Sequence, residues 1–184
     1  MKKLIILSLI IASLFVISCK GSGGGSDSSS SSGSTPAATP APTTPLEGTW
    51  KQTESLGPTS TISQILTFTG SNMSFSTVVV DTAPSDPSDP SSMTITLVGP
   101  FRLDGVNIYA TMNTGTGSVV TAAGTTTFAN ISEIEAFLTT ASGSPFSVPV
   151  NTEFFVGAYA INGNTLTLSQ PSDPSSVPIQ FTKQ

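Results

Sequence analysis

A two-residue alternation of apolar residues with threonine and serine, repeated from Leu66 to the C terminus, constrains this chain more than any other feature. Successive side chains of a β-strand point to opposite faces, so this period is typical of strands with one buried face and one solvated face. Hydroxyl residues suit the solvated face. The pattern therefore predicts an all-β domain. The apolar positions of the clearest runs are Leu66 and Phe68, Phe75 and Val79 across Thr77, Met93, Ile95 and Leu97, Val106, Ile108, Ala110 and Met112, Leu166 and Leu168, and Ile179 and Phe181.

Turn signals separate these runs. Asn162-Gly163 is a strong signal for a two-residue hairpin, and Asp104-Gly105 stands in a similar place before Val106. Short turns between consecutive runs indicate antiparallel strands in a meander, and closing a meander removes its exposed edges. We therefore predict a small antiparallel up-and-down β-barrel of about eight strands. A β-sandwich is the alternative architecture.

One stretch, from Ser132 to Leu138, departs from the period of two. Ser132 is placed to cap a helix, and two acidic residues, Glu133 and Glu135, would lie in the first turn. Apolar residues follow at helical spacing, at Ile134, Phe137 and Leu138. The pattern predicts one short helix in the long connection before a strand at about Phe154 to Ile161.

The N-terminal segment has the pattern of an export signal. Lys2 and Lys3 precede an apolar run from Leu4 to Ile17. As a helix this run would span about 20 Å, which is short of the roughly 30 Å of a bilayer core. A signal peptide over residues 1–18 is therefore favoured over a transmembrane helix.

The residues that follow suggest an anchor and a stalk. Val16-Ile17-Ser18-Cys19 resembles the lipobox of bacterial lipoproteins, which implies lipidation of Cys19, the only cysteine. Lys20 in the next position implies sorting to the outer membrane. Residues 19–45, rich in glycine, serine and proline, predict a disordered, flexible linker after the lipidated cysteine. The domain then occupies residues 46–184.

Three segments of the domain resemble bacterial lipocalin-like domains. Leu46–Lys51 contains the Gly-X-Trp pattern that opens their first strand, Tyr159–Leu168 is similar to their penultimate hairpin, and Ile179–Gln184 is similar to their final strand. The resemblance implies a barrel with one end closed by Trp50, with Lys183 stacked over its ring. A cation–π pair of this kind contributes roughly 0.5–2 kcal/mol, depending on burial.

Composition argues against most catalytic chemistry. The domain contains neither histidine nor cysteine, so nucleophilic triads and the common transition-metal sites are excluded. It carries three basic residues against ten acidic ones, and so lacks the positive surface that nucleic acid requires. We expect no enzymatic activity, no cofactor and no metal.

A repeated segment, Pro-Ser-Asp-Pro-Ser-Ser, occurs at residues 87–92 and again at residues 171–176. Aspartates among serines offer oxygen ligands for calcium, but the acid spacing is too wide for an EF-type loop. Asp beside Pro is ordinary turn chemistry. We therefore predict two exposed Asp-Pro loops, which are available for recognition of a protein partner.

These observations lead to one function and one alternative. We expect a lipoprotein of the cell envelope, anchored through lipid on Cys19, at the periplasmic or the surface face of the outer membrane, whose barrel binds a small apolar or amphipathic ligand. The alternative is a non-catalytic envelope or interaction module that presents loops from a filled barrel or a sandwich. The residues expected to line the ligand site are Phe68, Phe75, Met93, Ile95, Ile108, Met112, Phe154, Val156 and Phe181.

Overall fold

The computed structural model describes residues 44–170 and 176–184. The predicted signal peptide, Cys19, nearly all of the predicted linker and most of the second Asp-Pro segment lie outside these residues. Strands and one helix follow one another along the described chain as β1 (Gly48–Ser55), β2 (Ser60–Thr69), β3 (Asn72–Asp81), β4 (Ser92–Asp104), β5 (Asn107–Thr111), β6 (Thr114–Thr121), β7 (Gly124–Phe128), α1 (Ile131–Ser142), β8 (Glu153–Asn162), β9 (Thr165–Ser169) and β10 (Ile179–Lys183).

Eight of the strands close into an antiparallel barrel. Around the ring the order is β3-β2-β1-β10-β9-β8-β5-β4, and pairing of β3 with β4 completes the circle. The predicted eight-stranded antiparallel barrel with one helix is therefore confirmed. Both predicted turns are present, between β8 and β9 at Asn162-Gly163 and between β4 and β5 at Asp104-Gly105.

The remaining two strands, β6 and β7, form a hairpin that extends the sheet beside β4. The 13-residue β4 pairs with β6 along its first half and with β5 along its second half. Gly99 lies at the change of partner, and a Cβ atom there would overlap the carbonyl oxygen of Thr111. The absence of a side chain at Gly99 allows the two backbones to approach closely enough for this change.

The barrel has two ends that differ in their connections. The short turns after β2, β4 and β8 lie at the end of the barrel that contains Trp50, which we call the closing end. The opposite end, called here the loop end, receives the connections β1–β2, β3–β4, β5–β8 and β9–β10. Because the strands alternate in direction, the first Asp-Pro segment, between β3 and β4, lies at the loop end.

The helix begins two residues earlier than the sequence predicts. Its N-cap is Asn130 and not Ser132, and the Oδ1 atom of Asn130 accepts a hydrogen bond from the Glu133 backbone N–H at 3.0 Å. The Glu133 carboxylate in turn accepts from the Ala129 backbone N–H at 2.7 Å. These bonds satisfy one donor of the first turn, the Glu133 N–H, and one donor just before the helix, the Ala129 N–H. Ser132 lies inside the helix and cannot act as its cap.

The helix packs on the inner side of the sheet. Its buried residues are Ile131, Ile134 and Leu138. A Cβ atom on Gly115 of β6 would lie 2.7 Å from Ile131 Cγ1 and 2.9 Å from Leu97 Cδ2. The helix therefore lies against the same face of β6 as the core residue Leu97, and it contributes its apolar side to the common core.

Candidate functional site

The closing end is built around Trp50. Its side chain is fully buried, and its Nε1–H donates a hydrogen bond to the Leu46 carbonyl at 2.7 Å. Lys183 is the cross-strand partner of Trp50, and its Nζ lies 5.2 Å from the centre of the indole ring. The Glu47 carboxylate accepts from the Gly70 backbone N–H, which ties the segment before β1 to the β2–β3 turn. The residues just before β1, Leu46 and Glu47, thus lie across this end of the barrel.

Cross-strand register arranges the inward side chains of β1 to β4 in rows, about 7 Å apart along the strands. The row at Trp50 is apolar. The third row, nearer the loop end, is apolar on β2, β3 and β4. The middle row is polar on three adjacent strands. In that order, the rows are Trp50, Leu66, Phe75 and Leu97; Gln52, Gln64, Thr77 and Ile95; and Glu54, Ile62, Val79 and Met93.

We call Gln52, Gln64 and Thr77 the polar row. Gln64 and Thr77 are buried, Gln52 is partly buried, and the rows on either side are mostly apolar. Thr77 is 1% exposed and Gln64 is 5% exposed. The Thr77 hydroxyl oxygen has no hydrogen-bond partner, and neither has the buried Oε1 atom of Gln52. Directly opposed side chains on neighbouring strands have Cβ atoms about 5 Å apart, so these groups face one another across the sheet.

A separate polar pair lies on the β2–β3 hairpin, nearer the loop end. Ser60 and Asp81 are cross-strand partners, and both are buried. The Asp81 Oδ1 atom accepts from the Ala83 backbone N–H at 3.1 Å. In residues 44–170 and 176–184, all four buried polar residues are inward residues of β2 or β3. The buried polar residues are therefore confined to the β2–β3 hairpin, where they are separated along each strand by apolar inward residues.

The polar row lowers the stability of the folded protein when no ligand is bound. A buried polar group without a partner costs roughly 1–3 kcal/mol, and native proteins have few of them. Valine in place of Thr77 would fill the same space without an unsatisfied hydroxyl. The polar row is therefore a part of the barrel interior whose chemistry the fold does not explain.

The nine residues predicted to line a ligand site all lie in the interior. Each is at most 5% exposed. Ile95 is the cross-strand partner of Thr77 and lies beside the polar row on β4. Met93 and Phe75 lie in the rows on either side. Phe68 lies at the closing end, where its ring meets Phe101 edge-to-face with centroids 5.1 Å apart. Of the other five, Phe154 and Val156 lie on β8, Phe181 lies on β10, Ile108 lies on β5 and Met112 lies between β5 and β6.

The polar row was not among the predicted site residues, although the sequence contains a signal for it. Thr77 stands between the apolar residues Phe75 and Val79 on the same face of β3. Gln64 stands in the same way between Ile62 and Leu66. A polar residue at an apolar position of an alternating run marks a candidate site once both neighbours are known to face inward.

The described Asp-Pro loop between β3 and β4 is an ordered turn. Asp86 accepts hydrogen bonds from the Ser88 backbone N–H at 2.8 Å and from its hydroxyl at 2.6 Å, and these bonds lower the pKa of the Asp86 carboxyl. The Pro87 carbonyl accepts from Ala122 beside the β6–β7 turn. Nowhere in the described part of the chain do three or more potential metal-binding side chains cluster.

On the outer surface an ion pair joins β4 to β8. Arg102 Nε lies 2.6 Å from Glu153 Oε2, and the guanidinium carbon lies 4.4 Å from the centre of the Tyr109 ring. The hydrogen bonds of this pair lower the pKa of Glu153 and raise the pKa of Arg102. The pair occupies the outside of the barrel and takes no part in the interior site.

Comparison with known proteins identified no relative of this chain. No protein-family model, no curated protein and no solved structure matches the chain. Among the helical residues that the structure describes, none forms a helix with the length and apolar character needed to cross a membrane. The interior geometry is therefore the main basis for a function.

Proposed function

We propose that this chain is a lipoprotein of the bacterial cell envelope, anchored through Cys19, whose barrel binds a small apolar or amphipathic ligand in its interior. The observation that carries the binding proposal is the buried polar row, in which Thr77 and Gln52 leave hydrogen-bonding atoms unpartnered next to apolar rows. A molecule with one polar group on an apolar body satisfies both surfaces at once.

The arrangement of the two ends supports this proposal. The buried Leu46 and Trp50 fill the closing end, and the hydrogen bond between them fixes the segment that crosses it. All longer connections lie at the loop end. A ligand would therefore reach the polar row from the loop end, past Ser60 and Asp81.

The anchor and the location rest on the sequence. The lipobox-like residues before Cys19 support lipidation, and Lys20 supports the outer membrane. Growth of cells with radiolabelled fatty acid tests this part: wild type should incorporate label, and Cys19→Ala should not. Equal labelling of both proteins would contradict the proposed anchor.

Native mass spectrometry tests the binding part. The chain from Lys20 to Gln184 retains every described strand and every described core residue. We expect this protein, secreted from bacteria, to carry excess mass that organic extraction removes and that corresponds to an apolar or amphipathic compound. A clean mass that stays unchanged after incubation with total lipid extract would contradict the proposal.

A second candidate is an interaction module that presents loops from a filled barrel. It is favoured by the fixed, exposed loop around Asp86, which is held by its own side-chain hydrogen bonds and by contact with Ala122. Preorganised loops of this kind lose little entropy on binding. A clean mass together with capture of one partner, abolished by replacing Ser85–Ser88 with glycine and serine, would favour this candidate.

A further inference from the structure

We infer that the polar group of the interior ligand is a neutral hydroxyl, bound at the polar row, and that the site selects against carboxylates, phosphates and amines. This inference rests on the proposed interior binding. It starts from the two unpartnered atoms, the Thr77 hydroxyl oxygen and Gln52 Oε1. The first both donates and accepts, and the second only accepts.

A hydroxyl matches this pair because it carries one donor and two acceptor sites. It donates its proton to Gln52 Oε1 and accepts the proton of the Thr77 hydroxyl. If the Gln52 amide is rotated, the same hydroxyl accepts from the Nε2 atom and donates to Thr77. An ether oxygen, which only accepts, leaves one protein atom unsatisfied, and an unsatisfied buried partner weakens binding strongly.

Charge selects against an anion at this position. The described residues contain three basic side chains, and none of them faces the polar row. Lys51 lies between Trp50 and Gln52 in the strand and so points outward, Arg102 pairs with Glu153 on the outer surface, and Lys183 lies over the Trp50 ring. A carboxylate or phosphate would be buried here without a counterion, which is strongly unfavourable.

The acidic residues near the site lie outside the polar row. Asp81 lies four residues beyond Thr77 on β3, a distance of roughly 13 Å along the strand, and it already accepts a hydrogen bond from Ala83. Glu54 is the next inward residue of β1 after Gln52, but its side chain is exposed. An ammonium at the polar row therefore loses its hydration without gaining a buried carboxylate.

The neighbouring rows define the rest of the ligand. Leu66 and Phe75 lie on the closing side of the polar row, and Ile62 and Val79 lie on its loop side. The hydroxyl is therefore surrounded by apolar side chains in both directions along the strands. This arrangement fits an aliphatic or alicyclic alcohol better than a molecule with several polar groups.

Trp50 provides a direct readout. It is the only tryptophan of the chain, it is buried, and it lies one row from Gln52 on the same strand. Titration of residues 20–184 at about pH 8 with decanol, decanoate, decylammonium and decyl methyl ether varies the head group on one tail. At this pH the acid and the amine are both charged. We expect the tightest binding for decanol.

Three variants separate recognition from packing. Thr77→Val should lower decanol affinity about fivefold to tenfold and leave ether affinity within about twofold. Thr77→Ser, which keeps the hydroxyl, should retain the preference for decanol. Thr61→Val removes a hydroxyl from the exposed face of the same hairpin and should change neither affinity.

The outcomes distinguish this inference from the function on which it rests. Binding of decanoate or decylammonium as tightly as decanol, or no loss of decanol affinity in Thr77→Val, overturns the hydroxyl inference but leaves interior binding intact. If none of the four compounds binds and the native mass is clean, interior binding itself has failed.

Discussion

Replacing Thr77 by valine should stabilise the ligand-free protein. Thr77 is 1% exposed and its hydroxyl has no partner, so valine removes an unsatisfied polar atom and adds a buried methyl group of similar size. An unsatisfied buried hydroxyl costs roughly 1–3 kcal/mol. Allowing for imperfect packing of the new methyl, we expect the free energy of unfolding to rise by about 1–2 kcal/mol, with a midpoint of thermal unfolding about 3–7 °C higher.

The assay is thermal and urea unfolding of residues 20–184, followed by Trp50 fluorescence after bound ligand has been removed. Thr61→Val is the matched control, because the same change on the exposed face should stay within about 0.5 kcal/mol of wild type. A fall in stability in Thr77→Val would contradict an unsatisfied hydroxyl at this position. It would mean that the folded protein satisfies this hydroxyl, for example through a fixed water molecule, and that the polar row has an ordinary structural explanation.

Three further predictions concern the framework of the barrel. Gly99→Ala should lower the free energy of unfolding by about 3 kcal/mol or more in urea titrations, because its Cβ overlaps the Thr111 backbone; a loss below about 1 kcal/mol would contradict the close approach. Lys183→Met should cost about 0.5 kcal/mol by the same assay, since Lys183 is exposed beside the Trp50 ring, and no loss would show that the cation–π contact is not stabilising. The lowered pKa of Glu153 implies stability that is present above its unfolded pKa and is lost as pH falls through the folded value. The thermal midpoint of wild type should therefore fall more than that of Glu153→Gln between about pH 6 and pH 3, and parallel curves would contradict the ion pair.

The barrel itself could be predicted because its determinants are local. The alternation in β2, β3 and β4 and the turn at Asn162-Gly163 each specify strand or hairpin within a few residues. Closure then follows from the need to remove exposed edges. For the same reason the helix was predicted in the right place, since Ile134 and Leu138 have helical spacing and are both buried.

The features that could not be predicted from the sequence depend on tertiary contacts. The β6–β7 hairpin consists largely of glycine, threonine and serine, so its strands lack an apolar alternation. The position of the hairpin depends on the pairing of β6 with the first half of β4. The helix cap was misplaced because both Asn130 and Ser132 are good capping residues. Only the structure shows that Asn130 accepts from Glu133.

The polar row had a local signal that needed the fold for its meaning. Thr77 and Gln64 interrupt apolar faces in separate strands, and either interruption alone is unremarkable. Register places them directly opposite each other, next to Gln52. A pairing of three strands is not encoded in any one of them, which is why the site emerges only after the barrel is closed.

A crystal structure of residues 20–184 grown with decanol would show directly whether the polar row binds an alcohol. We expect the decanol oxygen inside the barrel, within about 3.2 Å of the Thr77 hydroxyl and of the Gln52 amide, with its tail against the apolar rows. Decanol bound only on the outer surface, with Thr77 satisfied by water or a protein group, would contradict binding at the polar row.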